Sequence, residues 1–323
     1  CPLTSLAMNR RTFSRTLLSC LGLLTLARLS LFAHSGKEDL RGNQDDKPAP
    51  TYANYTYGPH ERQVFDIWLT SSKNGESTPV VIYIHGGGFR GGDKSTIQAS
   101  SIEQFVKAGL SVAAINYRLS DVGPYPIMME DAARCLQTIR SHAVEWNLNP
   151  EKVACYGGSA GAGISLWLGF HDDLADPDSE DTVARQSTRI TAAATINGQP
   201  TYDIHTFREW FGVNDLIIHE ALYPLYDVTD DSEWDSKRVR KLMKDASPIT
   251  HLTKDDVPVY MTYRRGHVPV DKNTAQGVWV HHPDLGLRLQ IAMRKLGLEC
   301  EVDYPGHPVA RYESLEAFLI SKL

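Results

Sequence analysis

The chain has 323 residues, 42% of them hydrophobic and 22% charged, a make-up that excludes the disordered and membrane-spanning classes and leaves ample apolar material for a core. Its formal net charge of −6 is spread over interspersed acids and bases, which gives neither a basic stripe for nucleic acid nor a polybasic patch for an anionic membrane. A small-molecule partner is therefore expected.

The first fifty residues stand apart from the rest. Met8-Asn9-Arg10-Arg11-Thr12-Phe13 precedes an apolar run from Leu17 to Ala33 that Arg28 interrupts. This is the layout of an export signal. Paired arginines ahead of a modest apolar stretch resemble a twin-arginine signal, which exports folded proteins; the run falls short of the roughly 20 apolar residues that a membrane span needs. The expected organisation is upstream residues and signal over 1–35, a linker over 36–51, and one catalytic domain over 52–323. Residues 1–7, ahead of Met8, are expected to lie upstream of the start. A periplasmic or secreted protein without stable membrane insertion follows from this reading.

From Tyr52 onward short β-rich runs alternate with helical stretches, the pattern of an α/β protein whose mostly parallel sheet carries helices on both faces. Strands are expected at Gln63–Leu69, Val80–Ile84, Ser111–Asn116, Val153–Tyr156, Ala192–Ile196, Val257–Tyr263 and Glu299–Tyr304. Helices are expected at Ile127–Ile139, Ala160–Gly169, Leu285–Leu296 and Tyr312–Leu323. Val80–Ile84 is a continuous apolar run that stops at glycines, as a buried central strand should. The segment 201–245 falls where a cap would be inserted, and its Trp210, Phe211, Tyr223, Tyr226 and Trp234 suit either a substrate pocket or the cap's own core. Trp210 and Phe211, with Phe89, are the candidate pocket residues. Cys135, Cys155 and Cys300 fall on apparently buried elements and read as small core residues. No spacing suggests a metal site, and the acidic loop Asp172–Asp181 lacks the glycine and spacing of a calcium loop.

Two motifs carry chemistry. Gly157-Gly158-Ser159-Ala160-Gly161 lies between an apolar strand and a helix, the context that a G-x-S-x-G turn requires. A serine there projects from a tight turn that glycine neighbours permit, and the Ala160 N–H at the helix start is aimed where an oxyanion would form. His85-Gly86-Gly87-Gly88-Phe89 directly follows the strand Val80–Ile84 and has the form of the glycine loop whose N–H groups complete an oxyanion hole. Gly87 and Gly88 are the candidate donors. His85 reads as a structural hydrogen-bonding residue of that loop, because the base of such a site follows the nucleophile in chain order.

HGGGFRGGDKS, INYRLS, GGSAGAG and ASPITHLT occur in the order and spacing found in hormone-sensitive-lipase-like esterases. The chain from about Tyr57 resembles that group, and within it the secreted carbohydrate-ester branch similar to acetyl xylan and feruloyl esterases. The resemblance implies an α/β-hydrolase fold with a small cap, a Ser-His-Asp/Glu triad and no cofactor. It puts the base after the last strand, where His307 stands. It also puts an acid just beyond the strand ending at Tyr263, but aligning Val268-Pro269 with the family's pattern leaves Arg265 at that place. Asp271 is then the first candidate acid and Asp284 the second. Asp255 and Asp256 precede the strand, at the wrong end of a parallel sheet. The doublet His281-His282 is an oddity of the same loop; adjacent side chains diverge, so packing or substrate contact is expected of it rather than a metal pair. The expected activity is hydrolysis of short-chain carboxylic esters, carbohydrate esters among them, through an acyl-enzyme. An arylformamidase-like amide hydrolase and a non-catalytic binding protein on the same fold are the alternatives.

Overall fold

The computed structural model describes residues 47–71, 74–307 and 311–323. The expected export signal lies outside the described residues.

Among the described residues eight strands form one sheet: β1 (Tyr52–Thr56), β2 (Val64–Trp68), β3 (Thr78–Ile84), β4 (Ser111–Ile115), β5 (Leu148–Gly158), β6 (Ala192–Ile196), β7 (Val259–Thr262) and β8 (Cys300–Asp303). Their order is β1-β2-β4-β3-β5-β6-β7-β8. β2 runs antiparallel to both β1 and β4, while β3 to β8 are mutually parallel along the sheet. Parallel strands point all their carboxyl ends to one edge, so the loops after β3, β5, β6 and β7 gather there.

The period-two pattern of the strands divides the core. Val80 and Ile82 face one side with α2 (Ile127–Ser141), α3 (Ala160–Phe170) and α8 (Pro283–Lys295), whose Met128, Ile164 and Leu289 are fully buried. Val81, between them, faces the other side with α1 (Ala99–Lys107) and α9 (Leu315–Lys322), where Phe105 and Phe318 fill the layer. This is sheet alternation with both faces covered. The alanines of β4 and β6 are all buried, and their small side chains let the helices lie close to the backbone. Cys135, Cys155 and Cys300 are buried and free.

The segment between β6 and β7 is helical, with α4 (Ile204–Phe211), α5 (Leu222–Tyr226) and α6 (Lys237–Ala246); a short α7 (Gln276–Trp279) follows β7. The last helix starts at Leu315 rather than Tyr312, because the Ser314 side chain accepts from Ala317 N and caps it there. Strand β5 extends beyond Val153–Tyr156, from Leu148, which pairs with Thr78 of β3.

Candidate active site

Ser159 stands between β5 and α3 at φ 50° and ψ −116°, a left-handed conformation that costs a non-glycine residue strain. The turn closes this tightly because its neighbours lack side chains. A Cβ on Gly157 would lie 2.4 Å from the Ile84 carbonyl oxygen, and one on Gly161 would lie 2.0 Å from the same atom. Ser159 N donates to Ile196 O at 2.9 Å, which ties the turn to the end of β6.

The glycine loop after β3 faces it. Gly87, Gly88 and Phe89 all have positive φ, at 115°, 61° and 60°, and a Cβ on Gly87 would come within 2.3 Å of Gly91 O. His85 braces the loop, as the sequence suggests. Its Nε2 receives a hydrogen bond from Arg62 Nη2 at 3.1 Å, so the ring hydrogen is on Nδ1, which donates to Gly86 O at 2.7 Å. Burial holds its pKa down at about 4, and the ring stacks on Tyr117 at 4.3 Å.

The histidine beside the nucleophile is His281. Its Nε2 lies 3.0 Å from Ser159 Oγ, and its Nδ1 lies 3.2 Å from Gly277 O, one turn back in the segment that contains α7. Burial pushes its pKa below the usual 6.5, the Gly277 bond opposes this, and the positive charges of Arg265 and Arg264 push the same way as burial. The imidazole is thus neutral near pH 7 and ready to accept a proton.

His307, the base expected from the sequence, stands elsewhere. That residue sits after β8, the edge strand, with β6 and β7 between it and β5. Its ring packs on Tyr304 at 4.6 Å, outside the cavity lining, and the place against Oγ is held by His281. Neither candidate acid meets His281. Asp271 is exposed and closes its own turn, accepting from Asn273 N at 2.9 Å and Thr274 Oγ1 at 3.0 Å. Asp284 opens α8 and lies 3.1 Å from His267 Nε2. Among the described residues no carboxylate bonds to His281, whose Nδ1 meets the Gly277 backbone carbonyl instead.

A cavity of about 600 Å³ opens at Ser159 and brings Gly87, Gly88 and Ala160 to it. Phe89 lines it as expected, edge-on to Tyr202 at 5.4 Å. Trp210 and Phe211 do not; α4 presents Phe207 instead. The end of α4 runs past the cavity towards α8, where Trp210 O accepts from Arg288 Nη2 at 3.1 Å and Phe211 packs edge-on to His282 at 5.4 Å. Gln199, buried just after β6, donates from Nε2 to Asn197 O at 2.7 Å and to Val280 O at 2.8 Å. The second bond grips the residue immediately before His281.

The BD-FAE family model matches residues 65–272. The chain belongs to the BD-FAE family. Among curated proteins this BD-FAE chain is similar to the probable carboxylic ester hydrolase LipM of Mycobacterium tuberculosis, 27% identical over 69% of this chain and 49% of that protein. Esterase LipQ of the same organism is 26% identical over 64% of this chain and 47% of that one. The chain therefore spans about half the length of these relatives. Among solved structures, a truncated carbohydrate esterase from gut microbiota superposes with a TM-score of 0.60 at 19% identity, covering 78% of this chain and 85% of that one. The acetyl ester-xyloside bifunctional hydrolase of Caldicellulosiruptor lactoaceticus gives 0.58 at 19%, covering 82% and 84%. At such identities the likeness is one of fold, the α/β-hydrolase architecture. The family match ends ahead of both His281 and His307.

Among the described residues of this BD-FAE chain two groups of side chains lie close enough to share an ion, His267–His282–Asp284 and His171–Asp245–His251. In the first, His282 Nδ1 accepts from Asp284 N at 3.1 Å and Nε2 donates to Val268 O at 2.8 Å, so both ring nitrogens are committed to backbone. In the second, His251 Nε2 is bonded to Asp245 O and the Asp245 carboxylate to Tyr125 Oη, both at 2.7 Å. Neither group lines the cavity. Sequence reasoning missed Gln199 and His219 as cavity residues, and it expected packing or substrate contact of His281 rather than a place against Ser159. The available signal for His281 was a histidine doublet just ahead of a proline-started helix, in a loop lacking the usual carboxylate.

Proposed function

We propose that this BD-FAE chain hydrolyses short-chain carboxylic esters through an acyl-enzyme on Ser159, with His281 as general base. The observation that carries the proposal is the 3.0 Å contact between His281 Nε2 and Ser159 Oγ beside a glycine loop. In this reading Oγ attacks the ester carbonyl while Nε2 takes its proton. The N–H groups of Gly87, Gly88 and Ala160 hold the oxyanion, and the imidazolium returns the proton to the leaving alcohol. Water, activated by the same nitrogen, then releases the acid. Gly277 O fixes the tautomer that leaves Nε2 free to accept, but a carbonyl brings no full charge to the imidazolium. The curated relatives named as ester hydrolases support the reaction class, and the carbohydrate and acetyl esterases among the structural neighbours support acetylated carbohydrate as substrate. The nucleophile–base contact weighs against the non-catalytic alternative, and no observation favours amides over esters.

The test is a panel of nitrophenyl esters of graded acyl length, run with an organophosphonate probe. Turnover favouring acetate to butyrate, with both turnover and labelling lost in Ser159→Ala, is expected. Equal labelling of the native protein and the variant would contradict the assignment.

A further inference from the structure

His219 lines the cavity from the loop between α4 and α5. Its Nδ1 accepts the Ala221 N–H at 3.1 Å, and a ring nitrogen that accepts carries no hydrogen, so the neutral ring has its hydrogen on Nε2. Among the described residues no protein acceptor meets Nε2, and it is not one of the sealed, unpaired polar atoms. Trp279 meets the ring edge-to-face at 6.0 Å and limits how it can turn. Beside it Arg90 and Glu220 pair at 2.9 Å, largely exposed, on the same rim. Phe89, Phe207 and Leu222 line the cavity with carbon. One wall thus offers a fixed N–H donor and an ion pair, and the others offer apolar contact.

We infer that His219 is a specificity-determining residue whose Nε2–H donates to a hydroxyl, ether or phenolic oxygen carried by the ester's alcohol or acyl part. The inference rests on the esterase reading above. His219 is not a second base, since the position against Oγ is taken by His281. Its effect is discrimination: an oxygen-bearing substrate finds a donor when it leaves water, and a plain alkyl ester gains nothing from one. The donor serves a sugar on the alcohol side or a phenol on the acyl side, and the substrate pairs below separate the two.

The measurement is kcat/KM for wild type, His219→Phe and His219→Gln on two pairs: monoacetylated xylobiose against ethyl acetate, and methyl ferulate against methyl cinnamate. The phenylalanine keeps the ring and removes the donor; the glutamine keeps an N–H. A fall of about tenfold in the preference for the oxygen-bearing member of one pair, largely restored in His219→Gln, is expected. The affected pair names the side of the ester that His219 reads. Should His219→Phe not fold, His219→Ala is read in the same way. Preferences unchanged in both pairs, with wild type turning over esters, overturn this inference alone. A wild type that turns over no ester on any panel overturns the esterase reading and this inference with it.

Discussion

Ser159 at φ 50° and Gly87 at φ 115° are the two backbone positions on which the proposed chemistry depends. A side chain at Gly87 would collide with the Gly91 carbonyl, so the loop would shift and its N–H would leave the reacting oxygen. Gly87→Val is therefore expected to lower kcat by on the order of 10²-fold, as loss of one oxyanion donor does. Full kcat in a folded Gly87→Val variant would remove the loop from the mechanism. In the proposed mechanism His281 sets the pH dependence. Its pKa is lowered, chiefly by burial, and only the neutral ring can accept the Ser159 proton. Activity is thus full above the lowered value and lost as pH falls through it, which puts the acid limb of kcat/KM below 6.5, histidine's ordinary value. A limb centred above that value would mean that a nearby negative charge, absent from the described contacts, stabilises the imidazolium.

The elements around the site explain how a histidine from the β7–α8 connection reaches a serine on β5. The connection is pinned at Val280 by Gln199 from the end of β6, and the Asn197 side chain accepts from Arg264 N at 3.0 Å just beyond β7. Gln199→Leu should release Val280, let His281 drift, and reduce kcat by about 10-fold or more at nearly constant KM. Unchanged kcat, or a KM effect alone, would show that the bond does not position the base. The central strands were legible because β3, β4 and β6 are short runs of apolar or small residues bounded by turns. β1 was not, since an edge strand with four of five residues exposed shows no apolar pattern. Ser159, Gly87, Gly88, Ala160 and Phe89 were legible because glycine spacing is a local steric requirement and all five line one cavity. His281 was not. Its place beside Ser159 depends on a loop folding back across the sheet edge, which neither spacing nor chain order encodes. Asp271 and Asp284 do not meet His281 for the same reason: proximity in sequence to Tyr263 says nothing about where their carboxylates turn.

At the scale of the whole molecule, the parallel part of the sheet converts four separate loops into one site. The glycine loop follows β3, Ser159 follows β5, Gln199 follows β6 and His281 follows β7. Buried layers cover both faces of the sheet beneath that edge, and the cavity's other walls come from the helical segment between β6 and β7. The sequence resemblance led to a base expected after the last strand, where this chain has His307, so the structure offers two histidines and one position against Oγ. The proposed mechanism gives the proton to His281. Measuring kcat/KM of His281→Ala and His307→Ala side by side, with the best ester of the panel, decides it. His281→Ala is predicted to lose on the order of 10⁴-fold or more, with His307→Ala remaining within a few-fold of wild type. A collapse of activity in His307→Ala with His281→Ala near wild type would contradict the account and return the base to the loop after β8.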